Sequence, residues 1–382
     1  GLSEEALMCI EHMQLEGYSP SAVTFAYGLK TCASIQARSM GQEIHALIER
    51  RGLGRDTVIC RLLVDMYAKF GCLDVAQRLF DELPSRDLVC WTALLSGYAE
   101  HGHGENAIRC FELMLAEDVL PDVTAFICGL KACGSIGAGE KGQELHYEIE
   151  RVVLNRDLRL TSALMDMYGK CGMLSQAQKV FDKLPIQDVV SWTTLIEAYS
   201  EHEHNEEVLQ CLDQMRFEGV SPDEVTLVCC LKACSSIGAM ERAQEIHAEI
   251  ERKGFLKRDC IVGNTLVDTY AKSGLHVVAQ KVFDKLSNRD IISWNSLIGA
   301  YAQLGESEKA FYTFDKMLGE DIRPDSITFL IVFNACIRAG LFKQSQMYFE
   351  AMSEDHGIVP SAEHHHGMIS LLCHVGHLDK AL

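Results

Sequence analysis

The chain has 382 residues, 48% of them apolar, more material than one compact core, which stops growing at about 250–300 residues, can use; several domains or one elongated array are expected. Sixteen cysteines without a C-x-x-C pair argue against a disulfide scaffold and for buried reduced thiols used as small hydrophobes. A net charge of -19 opposes phosphate and excludes a nucleic-acid binder that works by bulk charge.

No apolar run approaches the ~20 residues of a membrane span, and the opening Gly1-Leu2-Ser3-Glu4-Glu5-Ala6 does not read as a signal or transit peptide. With seven prolines, 29 glycines and no low-complexity stretch there is no linker at which to divide the chain. An array is the better expectation.

In chain order, blocks of sequence recur. Leu29-Lys30-Thr31-Cys32 returns as Leu130-Lys131-Ala132-Cys133 and as Leu231-Lys232-Ala233-Cys234. Asp65-Met66-Tyr67 returns as Asp166-Met167-Tyr168 and as Asp268-Thr269-Tyr270. DLVCWTALLSGY at 87–98 returns as DVVSWTTLIEAY at 188–199 and DIISWNSLIGAY at 290–301. The super-period is 101 to 102 residues and holds three units of about 35, 35 and 31 residues, the mark of a repeat architecture.

Each unit reads as two amphipathic helices. Trp91, Leu94, Leu95 and Tyr98 fall at helical spacing, and so do Ile108, Phe111 and Leu115. His101-Gly102-His103-Gly104 breaks the chain between them, and Leu120-Pro121-Asp122 closes the unit, since proline cannot extend a helix. One hairpin cannot bury its own apolar face, whereas stacked neighbours can.

These residues resemble, over essentially the whole chain, the pentatricopeptide repeat proteins of the plant PLS subclass, in which P, L and S repeats alternate. The pattern gives a partial P unit 1–21, then L 22–56, S 57–87, P 88–122, L 123–157, S 158–188, P 189–223, L 224–259, S 260–290 and P 291–325. Residues 326–361, with Ser353-Glu354-Asp355-His356-Gly357-Ile358-Val359-Pro360, resemble the terminal L variant, and 362–382 a partial terminal S variant. The resemblance implies an all-α, right-handed superhelical solenoid of antiparallel helix-turn-helix repeats, placed ahead of the extension motifs that usually follow.

The resemblance also implies single-stranded RNA binding at one base per repeat. The fifth and last residues of a unit would meet the base edge, and the second would pack on the base face. The P units carry Thr92 with Asp122, Thr193 with Asp223, and Asn295 with Asp325; the S units carry Arg61 with Asp87, Ser162 with Asp188, and Asn264 with Asp290. The stacking wedges would be Val58, Val89, Val190, Ile261 and Ile292, with Arg159 departing from the pattern. The L units carry Tyr27, Ile127, Val228 and Leu330 at the fifth place, which cannot read a base edge apart from the tyrosine hydroxyl, so L units are expected to be spacers or partner surfaces. Lys69, Lys170 and Lys272, eight residues after the fifth-position side chain of successive S units, are candidates for phosphate contacts.

Thr with Asp resembles the family's choice of guanine, and Asn with Asp its choice of uracil. From residue 88 onward this gives G, any, G, G, any, U, U, read 5′ to 3′. The resemblance further implies a mitochondrial or chloroplast protein that positions a transcript for C-to-U editing, with helper proteins on the L repeats and a cytidine deaminase domain supplied in cis or in trans. No enzymatic activity and no cofactor are expected of this chain itself.

Plainer readings stand beside these. Asp before a helix is a common N-cap, and Thr or Asn in a first turn often satisfies backbone groups. Trp91, Trp192 and Trp294 lie on the apolar face and are expected in the core. His146-Tyr147-Glu148 and His247-Ala248-Glu249 match only the first half of a zinc deaminase signature, which also needs P-C-x-x-C; they read as repeat consensus. His202-Glu203-His204, His101-Gly102-His103 and His364-His365-His366 lack the surroundings of a metal site, and neither a P-loop nor a dinucleotide fingerprint is present. The alternative function is a protein-interaction scaffold, to which the acidic surface is suited but the Thr/Asn/Ser with Asp ladder is not needed.

Overall fold

The computed structural model describes residues 20–374 apart from 55, 153–156 and 259, together with residues 5, 8, 12, 13, 16 and 18. Most of the expected unit 1–21, and residues 375–382 of the expected unit 362–382, lie outside the described residues. Those described form α-helices with a single 3-10 turn, Phe255–Lys257, and no strands.

The chain falls into two compact units, 1–198 and 199–382. The first holds five helix pairs: α1 (Ala22–Ile35) with α2 (Arg38–Arg50), α3 (Thr57–Lys69) with α4 (Leu73–Asp81), α5 (Leu88–Glu100) with α6 (Gly104–Ala116), α7 (Val123–Ile136) with α8 (Gly139–Arg151), and α9 (Leu158–Lys170) with α10 (Leu174–Asp182). Helix α11 (Val189–Glu201) runs across the division. The second unit continues with α12 (Asn205–Phe217), then α13 (Glu224–Ile237) with α14 (Met240–Lys253), α15 (Cys260–Lys272) with α16 (His276–Lys285), α17 (Ile291–Gln303) with α18 (Ser307–Gly319), α19 (Ser326–Ala339) with α20 (Phe342–Glu354), and α21 (Ala362–His374).

Helix lengths follow the three-unit period. The first helices α1, α7, α13 and α19 have 14 residues and end on a left-handed cap at Gln36, Gly137, Gly238 and Gly340, a place glycine fills without strain. The second helices α4, α10 and α16 are short, with 9, 9 and 10 residues. The first helices start on polar side chains: Asp56, Asp87, Asp122, Asp157, Asp223, Asp290 and Asp325 each accept from a first-turn backbone N–H, which stabilises a helix by about 1 kcal/mol.

Within each unit every first helix packs beside the first helix of the next pair, giving α1–α3–α5–α7–α9 and α13–α15–α17–α19–α21 as inner layers. The second helices cover one side of that layer, wedged between their own first helix and the next. The approach is close enough at Gly97 that a Cβ there would stand 2.7 Å from Ala68 Cβ. The three tryptophans are core: Trp91, Trp192 and Trp294 are fully buried, edge-on to Phe80, Phe181 and Phe283 at 4.6, 4.5 and 4.7 Å. Arg86 and Arg289 lie over the same Phe80 and Phe283 rings and reach Glu117 and Glu320 of the next turn; Gln187 stands in the equivalent place between them. No disulfide forms among the described cysteines, most of which are buried, and burial pushes the thiols of Cys110, Cys211 and Cys336 up to about 12.

Candidate nucleic-acid interface

The side of the first-helix layer away from the second helices is open. On it, the second residue of five first helices points outward although it is apolar: Val58, Val89, Val190, Ile261 and Ile292 are between 51% and 60% exposed. Exposed apolar residues are ordinary singly, but a regular row of them marks a surface that something covers. Val23, Val225 and Ile327 extend the row into the long-helix pairs. They were not among the expected wedges, although each stands two residues after its cap as the others do. Arg159 breaks the row; it is exposed and turns back onto Asp157 at 3.0 Å.

The six expected pairs differ in what they do. In α17, Asn295 Nδ2 donates to Asp325 Oδ1 at 3.3 Å while Asn295 Oδ1 accepts from the Thr328 hydroxyl at 2.8 Å. This pair lines a cleft of about 310 Å³ whose wall includes Ile292 and Ile327, so two apolar wedges and one amide–carboxylate pair share one opening. In α15, Asn264 is 6% exposed and its Nδ2 donates to both Asp290 oxygens, at 2.9 and 3.1 Å. The carboxylate can only accept, so it fixes the amide with Oδ1 turned away. That Oδ1 is buried and has no partner, a state that costs about 1–3 kcal/mol.

Arg61 forms an ion pair with Asp87, in a cleft of about 480 Å³ bounded by Val58, Val89, Lys30 and Lys69. Thr92 and Asp122 make separate hydrogen bonds: the Thr92 hydroxyl donates to its own helix at Leu88 O, 2.9 Å, and Asp122 accepts from Ala125 N at 2.8 Å. Ser162 likewise donates to Leu158 O at 3.0 Å while Asp188 accepts from Ser191 N at 2.9 Å. Thr193 is buried in α11, and Asp223 accepts from Thr226 N at 2.9 Å.

Capping therefore leaves acceptor capacity unused on several of these carboxylates. Oδ1 of Asp122, Asp188 and Asp325 holds the helix start, and Oδ2 of these three has no protein partner among the described residues. Burial would raise the Asp290 carboxyl, but hydrogen bonds from Ser293 and Asn264 outweigh it and hold it below the usual carboxylate range. Asp87 behaves alike, its burial outweighed by the Cys90 amide and Arg61. Both are anionic acceptors at neutral pH.

The fifth position of the long-helix pairs needs one correction. The Ser21 side chain accepts from Thr24 N as Asp122 accepts from Ala125 N, which sets the register of α1 and places Ala26, not Tyr27, beside Ile127, Val228 and Leu330. Tyr27 lies one residue on and is exposed. Of the others, Val228 is buried.

Lys69, Lys170 and Lys272 are half-exposed, and each is paired with an aspartate one turn earlier: Asp65 at 2.8 Å, Asp166 at 2.8 Å and Asp268 at 2.7 Å.

The two H-x-E histidines, His146 and His247, and His45 at the equivalent place belong to a different, repeated contact that the sequence did not announce. His45, His146 and His247 meet the hydroxyls of Tyr67, Tyr168 and Tyr270 through Nδ1, at 2.9, 2.8 and 3.0 Å. Their Nε2 atoms face Glu49, Glu150 and Glu251 at 3.6, 3.6 and 3.5 Å. Glu249 of the second H-x-E is paired with Arg216 and Lys253 instead. Burial lowers all three imidazoles below the ordinary 6.5. His101 Nδ1 meets Gly97 O at 2.9 Å, His204 meets Glu207 at 3.2 Å, and buried His364 bridges Ser361 and Ser326 O. No three metal-ligating side chains converge among the described residues.

Comparison with known proteins follows the same repeats. The PPR repeat family profile matches residues 187–236 and 289–338, and the PPR repeat profile matches 58–88, 89–119, 161–187 and 264–291. A mitochondrial pentatricopeptide repeat-containing protein of Arabidopsis thaliana is 32% identical over 378 residues, 99% of this chain and 68% of the relative. A chloroplastic one from the same plant is 32% identical over 381 residues, 100% of this chain and 47% of the relative. The chain thus spans about half to two thirds of the length of such relatives. Among solved structures, the pentatricopeptide repeat protein PPR10 from maize matches over 100% of this chain and 65% of its own, at 18% identity and a TM-score of 0.54. PPR10 in complex with an 18-nt psaJ RNA element gives 0.61 with the same coverage and identity. The fold is that of a helix-pair solenoid, and the chain belongs to the pentatricopeptide repeat family.

Proposed function

We propose that the chain binds single-stranded RNA on the open face of its first helices and distinguishes bases at the P and S units. The observation that carries this reading is Asn264. Its amide oxygen is buried and lacks a protein partner, so a ligand N–H that reached it, such as the imide N3–H of uracil, would satisfy an acceptor the fold leaves unpaired. Ile261, three residues before it, and Ile292 of the next first helix are exposed apolar faces against which a base can lie. The Asn295 and Asp325 cleft between Ile292 and Ile327 supports the same reading one unit further on. That PPR10 is solved with a bound RNA element supports the choice of ligand.

The finer assignments belong to this proposal: the division into P, L and S units, the PLS subclass, and the run G, any, G, G, any, U, U. The three-fold alternation of helix lengths supports the division. Relatives described as mitochondrial or chloroplastic support an organellar site of action, where the protein positions a transcript for C-to-U editing by a deaminase domain or partner. Helper proteins would sit on the L units. The test is a gel-shift comparison of an RNA carrying this run with the DNA of the same sequence and a scrambled RNA. Retention of the matched RNA alone supports the proposal; equal retention of all three, or of none, contradicts it.

A further inference from the structure

On the assumption that RNA lies on the open face, we infer that the L units grip its backbone through Lys30, Lys131 and Lys232, at the nucleotides whose bases they do not read. The three lysines recur 101 residues apart in helices α1, α7 and α13. Each stands seven residues after the outward second residue, two helical turns along, and so on the same open face. All three are exposed and make no ion pair among the described residues. Lys30 lines the same cleft as the wedges Val58 and Val89.

The S-unit lysines are differently set. Lys69, Lys170 and Lys272 are each held by an aspartate at 2.7 to 2.8 Å, so a phosphate must compete with a carboxylate already in place. An ammonium without such a partner has none to displace, and pairing with phosphate releases the strand's counterions. The chemistry fits the step: where no base edge is held by hydrogen bonds, a sequence-independent backbone contact keeps the strand in register for the next reading unit. It also offers a chain of net charge -19 a local cation in each of these L units for the polyanion.

The test compares two triple variants of the full chain, K30Q/K131Q/K232Q and K69Q/K170Q/K272Q, by fluorescence anisotropy against the matched RNA across salt concentrations. Single-strand binding loses about 0.7 in the slope of log affinity against log salt for each phosphate contact removed. The L-unit variant should therefore flatten the slope by about 2, equally for matched and base-substituted RNAs. Between 50 and 200 mM salt the wild type would lose about 20-fold more affinity than this variant. The S-unit variant should change the slope by less. An unchanged slope in the L-unit variant, or an equal or larger change in the S-unit variant, overturns the inference while leaving RNA reading intact. A change in base preference with the slope unaltered overturns it too. A wild-type chain that binds no RNA instead removes the reading on which it rests.

Discussion

Replacing Asn264 by leucine separates a residue kept for ligand from one kept for the fold. Asn264 donates to the charged Asp290 carboxylate at 2.9 and 3.1 Å, a bond contributing about 1.5–3 kcal/mol, but its unpaired buried Oδ1 offsets about 1–3 kcal/mol of that. Leucine fills a similar volume and removes both contributions. Asp290 keeps its hydrogen bonds from Ser293 N and Oγ and so remains a cap. The Asn264→Leu variant should therefore lie within about 1–2 kcal/mol of wild type in stability, read by thermal melting in circular dichroism. The separate effect is on base choice: a lost base contact removes about 1–3 kcal/mol of discrimination, or about 5- to 150-fold. Anisotropy titrations with U or A at the sixth place of the run would show wild type preferring U and the variant indifferent. A variant that melts more than about 3 kcal/mol early yet still prefers U would refute the reasoning, for Asn264 would then be structural.

Three further predictions follow from the same geometry. Thr193→Asn should move the preferred fourth base from G toward U by about 1–3 kcal/mol; selections with wild type and variant that enrich the same base there would contradict the assignment. Asp122→Ser keeps a capping oxygen for Ala125 N and removes the carboxylate, so stability should hold to a few tenths of a kcal/mol while G preference at the first base is lost; the opposite pattern would make Asp122 a cap alone. Burial lowers the His45, His146 and His247 imidazoles below 6.5, so the unfolded chain binds more protons as pH falls through that value, and stability is lost toward acid and recovered above it. Melting temperature should fall between pH 7.5 and 5.5, and by less in a variant with glutamine at all three places; an equal fall in both would show that other groups govern the acid limit.

The helix pairs were legible because burial imposes a helical period on them: Trp91, Leu94, Leu95 and Tyr98 had to lie on one face, and they do. The caps were legible for a similar local reason, since an aspartate two or three residues before an apolar run has backbone donors within reach. The hydrogen-bonding state of each proposed pair was not. Whether Thr92 turns its hydroxyl to Leu88 O or Asn264 turns its amide to Asp290 depends on rotamers set by neighbouring helices. The ion pairs of Lys69, Lys170 and Lys272 could have been anticipated, because an aspartate four residues earlier faces a lysine on any helix. The fifth residue of the unit beginning at Ala22 is Ala26, so the placement of Tyr27 there was a miscount that the Ser21 cap exposes. The His and Tyr contacts lie 22 or 23 residues apart, between helices of different pairs, and no local pattern reveals them.

The central claim is that this chain reads RNA bases through its P and S units, and selection from a random RNA pool tests it most directly. The account predicts enrichment of G, any, G, G, any, U, U, with the two uracils strongest because Asn264 and Asn295 already hold their carboxylate partners in the free protein. A pool that emerges without enrichment, or with a fixed base only at the two steps given as any, would contradict it.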